Sequence, residues 1–139
     1  MEYKRFSDAI VVRIDRGEEV LEQVTAVARR EGIALASVEA LGATDDFTVG
    51  AYHPGEKRYQ SNRFCGDYEI VSLTGTITQK DGAPYLHLHM CAADDTGRAV
   101  GGHLNAARVS VTCELVIRPI NGAVDRRLNP EIGINLMGF

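Results

Sequence analysis

Paired cysteines are missing from this sequence: Cys65, Cys91 and Cys113 are odd in number, widely spaced and free of any C-x-x-C motif. A disulfide framework and a thiolate zinc site are therefore both excluded, and the reducing cytoplasm is the expected compartment. No apolar run approaches the length of a membrane span, and Met1 to Asp8 lack the apolar core of a secretion signal, so neither targeting, anchoring nor a membrane partner is expected. Excess positive charge is absent as well. Fifteen Lys and Arg face nineteen Asp and Glu, a formal charge of −4 that exerts no overall pull on a phosphate backbone. Internal repeats and low-complexity tracts are lacking, which removes solenoid and linker architectures.

What remains is a chain of 139 residues, 45% hydrophobic and 24% charged, the composition of one globular domain spanning residues 1–139. Ile10 to Ile14 form a β-branched run, followed at once by helical periodicity. Val20, Leu21, Val24, Val27 and Ala28 share one helical face. Glu18, Glu19 and Glu22 crowd the start, Arg29 and Arg30 the end, and Gly32 is placed as a cap, so a helix is expected over about residues 18–31. Ile33 to Leu41 is again strand-like, which suggests a β-α-β crossover with a parallel strand pair. Beyond Gly42 only strand-length runs appear, near 46–52, 68–79, 84–93 and 107–118, with weaker ones near 123–127 and 132–137. The expected class is α/β (α+β): a single domain, mostly antiparallel mixed β-sheet, with one main α-helix after the first strand. His53 to Gly66 reads as a long exposed polar loop.

Chemistry concentrates in residues 69–93. Asp81-Gly82 forms a hairpin turn, and with these two central, cross-strand partners have numbers that sum to 163. Ile77 then meets Leu86, Gly75 meets Leu88, Leu73 meets Met90 and Val71 meets Ala92 on an apolar face, while Thr76 meets His87, Thr74 meets His89 and Ser72 meets Cys91 on the other. His87 and His89 thus share one face, about 7 Å apart along the strand. Their polar face also carries Tyr85 and Cys91, a poor pair for full exposure, so something should cover it. His103 follows beyond the turn at Asp94 to Gly97, beside Gly101 and Gly102, which permit close backbone approach.

Two readings of the histidines stand. They are three ligands of an open zinc-type site, or they are strand and turn residues satisfied by ordinary hydrogen bonds. His53 is a conceivable fourth ligand, read first as solvated. Glu114, charged in mid-strand, is read first as exposed or ion-paired and second as orienting a histidine from behind. Cys113, among aliphatic residues, is read as core. The doublets Arg126-Arg127 and Arg29-Arg30 are read as solvated faces.

Gly66 to Gly75, Leu86-His87-Leu88-His89, Gly101-Gly102-His103-Leu104 and Val109 to Ile117 together resemble the plants-and-prokaryotes conserved (PPC) domain family over nearly the whole chain. The resemblance implies a homotrimeric α/β domain, carrying in prokaryotes the label of a DNA-binding protein. It further implies a fold similar to acetolactate decarboxylase, a zinc lyase whose metal is held by an H-x-H pair and a later histidine; His87, His89 and His103 match that pattern. Plant members bind DNA through a separate Arg-Gly-Arg-Pro hook that this sequence lacks, and Asp67 stands where they carry arginine. The expectation is a cytoplasmic homotrimer that binds a divalent metal, zinc first, at these histidines, and a small anionic or carbonyl ligand at the open position. Thr74, Thr76 and Glu114 are the supporting candidates, and Arg108 or Arg63 the cation for a ligand carboxylate. A DNA-binding regulatory protein is the alternative, and a metal-dependent lyase the second.

Overall fold

A computed structural model describes residues 1–139. The elements are β1 (Glu2–Arg5), β2 (Ile10–Asp15), α1 (Val20–Arg30), β3 (Ala36–His53), β4 (Arg58–Lys80), β5 (Ala83–Ala93), β6 (Ala99–Pro119), β7 (Asp125–Asn129) and β8 (Ile134–Gly138). The α+β class and the single helix hold. Glu19 caps α1 by accepting from the Glu22 amide, and Gly32, at φ 61°, turns the chain out of it. Val20, Val24, Val27 and Ala28 bury the helix face against β5 and β6.

The strands lie in the order β1-β2-β6-β3-β4-β7-β8. β5 pairs with β4 on one side and with the start of β6 on the other, so β3, β4, β5 and β6 close a ring around the core. The expected parallel pair across the helix does not form. β2 and β3 each pair antiparallel with β6, which lies between them, so the crossover runs parallel without adjacent strands. Sequence periodicity shows that a chain returns to a sheet, not whether a later strand is inserted.

The expected loop at 53–66 is also corrected. His53 pairs with Arg58 and Tyr52 with Tyr59, leaving only a tight turn before β4. The β4 arm of this hairpin lacks apolar alternation because Arg58 to Arg63 are exposed on both faces, so nothing in its pattern announces pairing.

The hairpin of β4 and β5 pairs Ile77 with Leu86, Gly75 with Leu88, Leu73 with Met90, Thr76 with His87, Thr74 with His89 and Ser72 with Cys91. Those partners are the ones expected. The register then shifts: Ala92 meets Ile70, not Val71, and Val71 bulges out with 55% of its surface exposed. A one-residue slip of this hairpin would expose Leu73, Ile77, Leu88 and Met90, now buried. At roughly 2 kcal/mol each that costs on the order of 8 kcal/mol, comparable to a whole domain's stability. Core burial thereby forces His87 and His89 onto the opposite face.

Candidate metal centre

His103 lies in β6, directly opposite His89 in the β5–β6 pairing. Turn residues Asp94 to Gly97 set this register, with Asp94 Oδ1 accepting from the Thr96 and Arg98 amides. Gly101 and Gly102 make the approach possible: a Cβ would stand 2.6 Å from the Met90 carbonyl oxygen at the first and 2.6 Å from that of Gly50 at the second.

The three imidazoles converge. Ring centroids are 5.2 Å apart for His87–His89, 5.2 Å for His87–His103 and 5.5 Å for His89–His103. One nitrogen from each lies within 4.8 Å of the others. His87 Nε2 and His89 Nε2 are separated by 3.3 Å, the edge expected of a tetrahedron with metal–nitrogen bonds of about 2.0 Å. Three neutral borderline ligands and no carboxylate form a donor set that suits zinc and leaves a position free. Burial, more than any other influence, pushes His87 below the ordinary histidine value, and the charges of Arg126, His103 and His89 add to it. His103 is lowered in the same way, by burial first and then by His89 and Arg126. Both rings are neutral at neutral pH, the form that binds metal.

The triad opens into a pocket of about 500 Å³. Tyr59 stands edge-on to His103, its hydroxyl donating to Asn105 Oδ1 at 2.7 Å. Tyr52 donates to the Ile132 carbonyl at 2.6 Å and so ties the tip of the β7–β8 hairpin to β3. That hairpin covers the polar face of β5: the Arg126 guanidinium lies 4.9 Å from the Tyr85 ring centre. Cover for Tyr85 therefore comes from the same chain.

Arg126 is the residue that sequence reasoning missed. Read as solvated with Arg127, it is only 8% exposed. Its Nε donates to Thr78 Oγ1 at 2.9 Å and Nη1 to the Asn135 carbonyl at 3.2 Å, while Nη2 stands 3.3 Å from His87 Nδ1. A guanidinium can only donate, so that last contact is satisfied when the proton of His87 sits on Nε2 and points at His89. For His87 to offer Nε2 as a ligand, its proton must move to Nδ1, and the Arg126 N–H then loses its acceptor. The two tautomers of His87 thus call for different partners, and only the one protonated on Nδ1 leaves Nε2 free for a metal.

Of the other expected residues, Thr74 and Thr76 lie beside the histidines in register, yet no hydrogen bond joins them. Glu114 is exposed and pairs with Arg13 and Leu41; it is eleven residues along β6 from His103, roughly 35 Å at the usual strand rise. Arg108 is ion-paired with Asp45 at 3.0 Å and Arg63 with Asp46 at 2.6 Å, so neither reaches the pocket. His53 ends β3, exposed and outside it.

A family model, the Plants and Prokaryotes Conserved (PCC) domain, matches residues 1–121. The chain belongs to the PCC domain family. No curated protein matches it. Among solved structures, a protein of Bacteroides thetaiotaomicron provisionally named as DNA-binding is 29% identical, with a TM-score of 0.96 over 99% of this chain and 96% of that one. A metal-containing protein of Archaeoglobus fulgidus is 30% identical, with a TM-score of 0.90 over 100% of both chains. A Staphylococcus aureus protein of unknown function similar to alpha-acetolactate decarboxylase is 17% identical, with a TM-score of 0.60 over 86% of this chain and 56% of that one. That last likeness is one of fold and carries no reaction. The PCC match stops at residue 121, before the β7–β8 hairpin that brings Arg126 to the site.

Proposed function

We propose that this PCC-domain protein binds a divalent metal ion of the zinc type through His87, His89 and His103, with one position left open for a small ligand. The convergence of three imidazole nitrogens within 4.8 Å, aimed into a pocket, carries the reading. The metal-containing relative from Archaeoglobus fulgidus supports it. When bound, such an ion supplies Lewis acidity to an oxygen of the ligand. The chain's own residues do the rest: Tyr52, Tyr59 and Tyr85 wall the pocket, and Arg126 supplies a positive charge.

A homotrimer is part of the same proposal. It is supported by apolar side chains left open on the outer sheet face, where Leu41 and Val71, 59% and 55% exposed, border a groove of about 510 Å³ with Val116. Three unpaired thiols support a cytoplasmic setting.

Element analysis tests the metal. Tag-free protein, purified without chelator, should carry about one divalent ion per chain, and His89→Ala should lose it while keeping the wild-type circular dichroism spectrum. Folded wild-type protein with far less than one ion per chain would sink the proposal. The second reading, DNA binding, is favoured by the provisional name of the relative from Bacteroides thetaiotaomicron. A gel shift at physiological salt tests it, and no retardation at micromolar protein removes it.

A further inference from the structure

Arg126 is a buried cation without an anion. Its partners are a hydroxyl, a carbonyl and an imidazole, all neutral, and none of the chain's ion pairs includes it. Nor does any carboxylate line the pocket it faces. An unpaired buried charge is costly, and proteins keep one where a counter-charge arrives from outside. The energy spent on holding this one is visible in the fold: Thr78, fully buried, is committed to its Nε, and Tyr85 lies against its plane.

We infer that Arg126 anchors the anionic group of the pocket's ligand, and that the ligand is a small carboxylic acid bearing a second oxygen beside the carboxylate, of the 2-oxo or 2-hydroxy acid class. This rests on the open metal position proposed above, which takes the second oxygen. A carboxylate fits better than a phosphate because, beside the histidines, the pocket offers one cationic side chain and only the Tyr85 hydroxyl and Asn135 amide as further uncommitted donors. The hydroxyls of Tyr52 and Tyr59 are spent on Ile132 and Asn105, so their rings, with Ile134, present an apolar wall to the rest of the molecule. A dianion brings two negative charges to a lining whose one Lys or Arg is Arg126, whereas one guanidinium matches one carboxylate. The β7–β8 hairpin, which brings Arg126, Ile134 and Asn135, is then the part of the chain that selects the acid.

The test is calorimetry on zinc-loaded wild-type protein with pyruvate, the neutral analogue pyruvamide and inorganic phosphate. Pyruvate should bind at least tenfold more tightly than either of the others, since a lost charge-assisted contact is worth about that factor. Arg126→Met and Arg126→Lys, checked for an unchanged melting profile, should keep their zinc but lose that preference, Lys less completely because it lacks the planar fork. Equal affinity of wild type for pyruvate and pyruvamide, tighter binding of phosphate, no pyruvate binding up to tens of millimolar, or an undiminished preference in Arg126→Met would each overturn the inference. Failure of the metal reading is a separate result: protein that takes up no zinc. In that case the carboxylate-over-amide preference of the metal-free wild type, and its loss in Arg126→Met, still decides the role of Arg126.

Discussion

Gly75 is where the fold and the histidine site can be pulled apart by one atom. It sits in β4 opposite Leu88, and a Cβ there would stand 2.0 Å from the carbonyl oxygen of His87 and 2.8 Å from the Leu88 Cα. Non-bonded heavy atoms settle near 3.5 Å, so Gly75→Ala must push β5 away by about 1.5 Å, the difference from the 2.0 Å contact. Both obstacles are backbone, and no side-chain rotation relieves them. Overpacking of this kind costs about 1–3 kcal/mol, and a chain of this size loses roughly 3 °C of Tm per kcal/mol, so a fall of about 3–10 °C is expected. The effect on metal should be larger, because metal–ligand distances tolerate only about 0.2 Å. Calorimetric melting and element analysis of Gly75→Ala read both. Gly82→Ala is the control in the same hairpin: its φ of 77° strains an alanine, but a Cβ there meets nothing within 4 Å. It should cost about 1 kcal/mol and keep its metal. Gly75→Ala protein that melts like wild type and loads the same metal would refute the reasoning.

The remaining predictions concern titration and thiols. His87 and His103 both lie below the ordinary histidine value in the folded protein. As pH falls below about 6.5 the unfolded chain takes up protons first, so metal-free protein loses stability there and the loss levels off once the folded rings protonate. The difference in Tm between wild type and His87→Asn, followed from pH 7.5 to 5, isolates this contribution; a wild-type Tm that rises relative to the variant on acidification contradicts it. Burial pushes the Cys113 thiol up to about 12, so a thiol reagent at pH 8 should leave Cys113 untouched in native protein while modifying exposed Cys65, and reach all three cysteines only in denaturant. Native protein that titrates with three thiols at the denatured rate contradicts that.

How much was legible in the sequence follows from where burial is decided. α1 was legible because its apolar spacing, acidic start and basic end all point to one helix. The pairing of His87 with Thr76 and His89 with Thr74 was legible because Asp81-Gly82 fixes the turn and the apolar alternation fixes the face. Legibility ended at Val71, where a bulge shifts the count by one, since a bulge answers to neighbours on both sides of the strand. The burial of Arg126 had no local signal at all. β7 reads as a short polar strand, and only the docking of its hairpin over Tyr85 turns a surface-looking doublet into one exposed and one buried arginine. Clusters that chemistry requires within one hairpin can be read from spacing, whereas a residue delivered by a distant segment cannot.

The distribution of positive charge also bears on what this protein binds. Arg5, Arg13, Arg58, Arg63, Lys80, Arg108 and Arg118 each already hold a carboxylate at the surface. Such paired cations release few counterions on meeting a polyanion, and Arg126, the buried one, cannot reach a duplex backbone, which leaves Lys4, Arg16, Arg29, Arg30, Lys57, Arg98 and Arg127 as the exposed cations outside any ion pair. The two partners therefore differ in salt dependence. A protein that covers several phosphates loses affinity by about 0.9 log units per log unit of salt for each phosphate neutralised. A carboxylate held by one buried guanidinium is weakly screened, since the contact is made within the protein, inside a Debye length that is still about 8 Å at physiological salt. Pyruvate affinity should thus change less than about threefold between low and physiological salt, and any DNA retention should vanish. DNA affinity that survives physiological salt would mean that the unpaired surface cations are enough to hold a duplex, and that the surface, not the pocket, is where this chain meets its partner.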